Sequence, residues 1–91
     1  MTVTADSILS HEIIGLDVRL LESTDRRLEG LNGTVVFETR NTLSIRKNSD
    51  RIIQIPKQAA KRIEVQTRLG VCFISGSSLI GRPEDRLTRV N

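Results

Sequence analysis

The feature that most constrains this chain is a two-residue hydrophobic period that recurs in six short segments. In the first segment, Leu16, Val18 and Leu20 alternate with polar residues. Such alternation is typical of a β-strand that buries one face and exposes the other. The other five segments cover residues 34–38, 42–46, 52–55, 63–66 and 71–74. The pattern therefore predicts six short, half-buried strands.

Turn-forming residues separate these segments. The turns are Leu31-Asn32-Gly33, Arg40-Asn41, Asn48-Ser49-Asp50 and Leu69-Gly70. Six short strands in a chain of 91 residues predict an antiparallel meander closed into a small barrel, because closure removes exposed sheet edges. We expect one domain over residues 1–91, with the barrel over 16–76.

Both ends of the chain are predicted to be helical. Thr4 or Asp6 can cap a helix that lies within residues 1–15, and Gly15 fits its end. Pro83 suits the first position of a second helix over 83–90, in which acidic residues precede basic ones. The expected fold class is mainly β, a small antiparallel barrel of about six strands with short N- and C-terminal helices.

The composition argues against an active site in this chain. Cys72 is the only cysteine and His11 the only histidine, which leaves too few ligands for a zinc site and little basis for a catalytic triad. We expect Cys72 in or just below the core, and no metal or cofactor on this chain.

With aromatic residues at 2%, the core must be aliphatic, and RNA recognition by base stacking is disfavoured. No apolar run is long enough to span a membrane and no signal peptide opens the chain, so a cytoplasmic location is expected.

Positive charge is concentrated in the middle of the chain. Residues 39–62 hold seven basic residues against one acidic residue, whereas residues 1–38 hold three against seven. This distribution predicts a phosphate-contacting surface. Its main members are expected to be Arg40, Asn41, Arg46, Lys57, Lys61 and Arg62, with the first two at a hairpin tip and the last three in the next long loop. The alternative is that these charges only solvate the outward faces of strands.

The two ends of the chain offer further candidate contacts. The acidic N-terminal segment would repel phosphate, and its apolar side favours a protein partner. The expected partner-binding residues are Ile8, Leu9, His11 and Ile13. Near the other end, Arg82 and Arg86 either bind RNA or form an ion-paired cap on the C-terminal helix.

Four stretches go beyond the general pattern of a small barrel. They are His11-Glu12-Ile13-Ile14-Gly15-Leu16, Glu38-Thr39-Arg40-Asn41-Thr42-Leu43, Ile55-Pro56-Lys57 and Gly81-Arg82-Pro83-Glu84-Asp85-Arg86. In their order and spacing, these stretches resemble the archaeal ribonuclease P protein component 1 family. The same family resemblance includes the turn into the second strand, Gly30-Leu31-Asn32-Gly33-Thr34-Val35-Val36. The resemblance runs from about residue 9 to residue 89.

The resemblance implies an Sm-like barrel with terminal helices and a role as a protein subunit of ribonuclease P, which removes the 5′ leader of precursor tRNA. It further implies that the RNA subunit and its magnesium ions carry out catalysis, and that this chain stabilises that RNA. The implied partners are the ribonuclease P RNA, a zinc-ribbon protein subunit and other protein subunits, with no membrane. Two alternatives stay open at this point: another RNA-binding barrel, ribosomal or transcription-associated, and a protein–protein scaffold.

Overall fold

The described part of the protein contains six strands and three short 3-10 turns. The computed structural model describes residues 13–48 and 50–80. The strands are β1 Asp17–Ser23, β2 Asn32–Glu38, β3 Thr42–Arg46, β4 Ile52–Pro56, β5 Ala60–Thr67 and β6 Gly70–Ile74. The 3-10 turns are Arg26–Leu28, Lys57–Ala59 and Gly76–Leu79. The six predicted strands are all present. The predicted helix over 83–90 lies outside the described residues, as does the helix over 1–15 apart from its last three residues, which form a turn.

The strands form one antiparallel sheet in the order β4-β3-β2-β1-β5-β6. This order differs from a simple meander, because β5 pairs with β1 and not with β4. The 3-10 turn Lys57–Ala59 directs the chain from the end of β4 to the free side of β1. There the amide of Thr24 donates to the carbonyl oxygen of Ala59 over 2.9 Å.

A single aliphatic core holds the sheet together. Inward side chains from all six strands meet in one cluster, so the sheet must curve around it. The buried strand residues are Val18, Leu20, Val35, Leu43, Ile45, Ile55, Ala60, Ile63, Val65, Cys72 and Ile74. Burial of each large aliphatic side chain contributes about 1.5–3 kcal/mol. The prediction of an aliphatic core with Cys72 inside it is confirmed, since Phe37 and Phe73 are 57% and 49% exposed.

Bulges change the direction of side chains in β1, β2 and β5. The pairing of β1 with β5 shifts register on both sides of Glu22, and the pairing of β2 with β3 shifts between Val35 and Phe37. A bulge adds a residue to one strand and so reverses the alternation beyond it. For this reason Phe37 faces outward, although strict alternation places it with Val35. The next residue, Glu38, has a side chain only 6% exposed.

Within the described ranges, the structure contains no helix that is long and apolar enough to cross a membrane.

Candidate nucleic-acid interface

The basic residues of the middle third mostly lie on the surface. Arg40, Arg46, Lys61 and Arg62 are exposed, and so is Asn41 at the hairpin tip. Across the residues that the structure describes, none of these cations forms a salt bridge, because the two that occur join other residues. Their charges are therefore available to an external anion. Their role in RNA binding stays a prediction.

These exposed residues fall into separate groups along the sheet. Arg40 and Asn41 precede β3, whereas Arg46 ends it. A five-residue strand separates its two ends by about 13 Å, so one phosphate group cannot contact both. Lys61 and Arg62 belong to β5, which begins at Ala60, and not to a long loop as the sequence predicts.

The prediction that Lys57 contacts phosphate is wrong. Its side chain is fully buried, with a relative exposure of 0%. The Lys57 Nζ lies 2.6 Å from Glu38 Oε2 and also donates to the carbonyl oxygens of Arg40 and Leu79, at 3.2 and 2.7 Å. A buried ammonium is tolerated only when it is paired and hydrogen-bonded, and Lys57 meets this condition.

Lys57 instead shapes the hairpin tip that precedes β3. Its backbone amide donates to the carbonyl oxygen of Asn41 over 2.8 Å, while its side chain holds the neighbouring carbonyl of Arg40. Two of the stretches that carry the family resemblance, 38–43 and 55–57, thus meet in space. Their contact fixes the backbone from which the exposed Arg40 and Asn41 side chains project.

One of the four residues predicted to bind a protein partner is buried in the structure. Ile13 is 1% exposed and packs in the core, so it cannot form part of a free docking surface. The Leu16 amide donates to the Ile13 carbonyl oxygen over 3.0 Å, in a turn where Gly15 has a φ of +95° that favours glycine. The remaining predicted contacts lie outside the described residues; they are Ile8, Leu9, His11, Arg82 and Arg86.

One surface feature was missed by the sequence analysis. The guanidinium carbon of Arg62 lies 5.0 Å from the centre of the Phe73 ring, which is within the range of a cation–π contact. Phe73 could not be assigned to the surface beforehand, because all four residues from Val71 to Ile74 are apolar and alternation cannot choose the inward pair. The contact orients Arg62 on the outer face of the sheet.

A polar groove also lies on the outer face, at the end of β3 occupied by Arg46. It encloses about 660 Å³. Strand register aligns Gln66, Asp17, Thr34 and Arg46 in one row across β5, β1, β2 and β3. The hydroxyl of Thr34 donates to Asp17 Oδ1 over 2.7 Å, which fixes the middle of the row. The sequence analysis identified only Arg46 among the groove residues.

Shifted pKa values are found at one exposed ion pair and at one buried thiol. Hydrogen bonds from Arg27 lower the pKa of Asp25, and the same carboxylate raises the pKa of Arg27. Burial raises the pKa of the Cys72 thiol. In residues 13–48 and 50–80, no three or more His, Cys, Asp or Glu side chains come together as metal ligands.

The fold and the surface together define a small antiparallel β-protein whose basic outer face suits contact with RNA phosphates. The family model described as "Ribonuclease P/MRP, subunit p29" matches residues 6–89, and the chain belongs to that family. The family assignment made from the sequence stretches is thereby confirmed.

Individual relatives agree with the family model. The chain is 42% identical over 88 residues to the ribonuclease P protein component 1 of Methanococcus aeolicus, covering 96% of this chain and 91% of the relative. It is also 42% identical over 87 residues to the protein of the same name from Methanocaldococcus jannaschii, with 96% and 90% covered. Among solved structures, Mth11, described as a homologue of the human RNase P protein Rpp29, is 44% identical with a TM-score of 0.61. That match covers 84% of this chain and 97% of Mth11.

Proposed function

We propose that this chain is the protein subunit of ribonuclease P that binds and stabilises the catalytic RNA during removal of the 5′ leader of precursor tRNA. Membership of the p29 family supports the assignment to ribonuclease P. In this proposal the RNA, with its magnesium ions, performs the cleavage. The protein contributes binding energy and cationic charge, and acts in the cytoplasm.

The observation that carries the RNA-binding part is the exposed, unpaired charge of the middle third. Phosphates are contacted by Arg40, Asn41, Arg46, Lys61 and Arg62, all of which are exposed. Arginine suits this role because its planar guanidinium can bind phosphate through two hydrogen bonds. Folded RNA is recognised through its shape, phosphates and 2′-hydroxyl groups, which needs no aromatic platform.

The proposed protein partner is a zinc-ribbon subunit of ribonuclease P, with other protein subunits in the same complex. The docking segment is the apolar side of the N-terminal residues, with Ile8, Leu9 and His11 as its members. Ile13 is left out because it is buried in the core. Arg82 and Arg86 either extend the RNA contact or cap the C-terminal segment. Deletion of residues 1–12 should abolish co-purification with the zinc-ribbon subunit.

Reconstitution tests the proposed function directly. The purified chain is added, with its partner subunits, to the ribonuclease P RNA of the same organism, and precursor-tRNA cleavage is followed at limiting magnesium. We expect cleavage to be restored by the wild-type chain. The triple variant Arg40→Gln/Lys61→Gln/Arg62→Gln should need a higher magnesium concentration for the same rate, because less cationic charge neutralises the RNA.

The control is Arg26→Gln/Arg27→Gln, which removes two exposed charges from the first 3-10 turn, outside the proposed surface. It should restore cleavage as the wild type does. RNA binding without restored cleavage would indicate a general RNA-binding barrel and contradict the proposed function.

A further inference from the structure

The polar groove on the outer face has the properties of a binding site. Its floor forms where β2 and β3 approach closely at Gly33. A Cβ atom at this position would overlap the Arg46 carbonyl oxygen and lie 2.8 Å from Ile45 Cγ2. The groove is thus bounded on this side by paired strands, which can hold side chains in fixed positions.

Three cationic side chains line the groove and are free to bind an anion. They are Arg19, Arg46 and Lys47. Although Asp17 and Asp50 also line it, neither carboxylate forms an ion pair with these cations among the residues that the structure describes. The cations therefore keep their charge for a ligand. Three of them in one groove of about 660 Å³ favour a ligand with more than one negative group.

The rest of the lining excludes apolar ligands and stacked bases. Among the residues that the structure describes, none that lines the groove is aromatic, and Val18 is the one large apolar member of the lining. Amide side chains of Asn32, Asn48 and Gln66 supply both hydrogen-bond donors and acceptors. A ligand that fits must be anionic and must also carry hydroxyl or similar polar groups.

The row of aligned side chains determines how long the groove is. Gln66 and Arg46 lie on strands separated by β1 and β2, and three strand spacings amount to about 14 Å. This length is several times the rise along the axis of a B-form duplex for each phosphate of one strand, about 3.4 Å. The groove can therefore contact a run of backbone and not only a single terminal phosphate.

We propose that this groove binds a sugar–phosphate segment of RNA and distinguishes ribose from deoxyribose. Arg19, Arg46 and Lys47 contact the phosphates, while Asp17 accepts a hydrogen bond from a 2′-hydroxyl group. Asp17 Oδ1 is already engaged by the hydroxyl of Thr34, which leaves Oδ2 for the ribose. A 2′-hydroxyl donates a hydrogen bond that DNA cannot supply. The inference rests on the proposed function, because it assumes that the chain binds RNA.

Binding to the ribonuclease P RNA of the same organism tests the phosphate contacts. The variant Arg19→Gln/Lys47→Gln removes two groove cations that the surface proposed above does not include. We expect its affinity to fall by about tenfold or more, and the slope of log affinity against log salt to become shallower by about 1.4–1.8. The charge-matched control Arg26→Gln/Arg27→Gln should keep the wild-type slope.

The ribose contact is tested with a ten-nucleotide RNA and a DNA of the same sequence, titrated against ¹⁵N-labelled full-length protein. Both oligonucleotides should shift the amide signals of Asn32, Gly33 and Lys47 in the wild-type protein. The RNA should bind more tightly than the DNA. In Asp17→Ala the preference should disappear while DNA binding is equal or stronger, because the variant removes a negative charge. A merely structural role of Asp17 would weaken both ligands alike, which would overturn the ribose contact.

The two proposals fail in different ways. Wild-type protein that does not bind the ribonuclease P RNA would overturn the proposed function. Wild-type binding with an unchanged affinity and salt slope in Arg19→Gln/Lys47→Gln would overturn the groove alone. Tighter binding of a free ribonucleotide than of the ten-nucleotide RNA would also overturn it, because the proposal requires a backbone segment.

Discussion

At the scale of single residues, the pair formed by Lys57 and Glu38 has the largest structural consequence. Both side chains are almost fully shielded from water, at 0% and 6% exposure. The concentration of positive charge in residues 39–62 predicts a surface location for Arg40, Arg46, Lys61 and Arg62, and all four are exposed. It could not predict burial of Lys57, because its partner lies 19 positions away and is turned inward by a bulge.

Replacing Lys57 by Met should lower the free energy of unfolding by about 3–5 kcal/mol, because the shielded Glu38 carboxylate loses its contact with the Lys57 ammonium. The double variant Lys57→Met/Glu38→Leu should recover part of this stability, since no charge then remains buried. Urea denaturation of both variants measures the effect. A decrease below about 1 kcal/mol in Lys57→Met would show that the pair is not shielded from water as described.

A second residue-scale prediction concerns Cys72. Burial raises the pKa of its thiol, so less of the reactive thiolate is present at pH 8 than for an exposed cysteine. Reaction with a disulfide reagent should be about tenfold or more slower in the folded protein than in urea. The rate should rise with pH beyond the range in which a free thiol has already ionised. Equal rates in the two states would contradict the burial of Cys72.

At the scale of elements, the alternating pattern was sufficient to locate all six strands. The sequence could not reveal the bulges in β1, β2 and β5 or the pairing of β5 with β1, because these depend on how the sheet curves around its core. The groove was missed for the same reason. Asp17 and Gln66 lie far apart in the chain, and only the strand register brings them side by side.

Substitution of Gly33 tests whether β2 and β3 approach each other closely. Substitution to alanine should destabilise the protein by about 2 kcal/mol or more, because its Cβ would overlap the Arg46 carbonyl oxygen. The control is Gly30→Ala, because no neighbouring atom lies within 4 Å of a Cβ added at Gly30. Only its backbone φ of +86° is unfavourable for alanine, at a cost of about 1–2 kcal/mol. Thermal denaturation ranks the two. A smaller destabilisation in Gly33→Ala than in Gly30→Ala would contradict the close approach of the strands.

At the scale of the whole molecule, the distribution of charge connects the fold with the function. The acidic residues 1–38 supply β1 and β2, while residues 39–62 place exposed cations at both ends of β3 and at the start of β5. The family resemblance supplied the link to ribonuclease P, which periodicity and charge alone could not. The fold explains how a chain of 91 residues offers a wide cationic surface around a described core that is aliphatic apart from Cys72.

The most direct test of the central claim is the salt dependence of binding to the ribonuclease P RNA of the same organism. The account predicts a steep decrease of affinity with salt for the wild type. The slope should become shallower by about 2–3 in Arg40→Gln/Lys61→Gln/Arg62→Gln, at about 0.7–0.9 for each phosphate that the variant no longer neutralises. Arg26→Gln/Arg27→Gln should match the wild type. An identical slope in the triple variant and the wild type would contradict the claim that residues 39–62 form the RNA-binding surface.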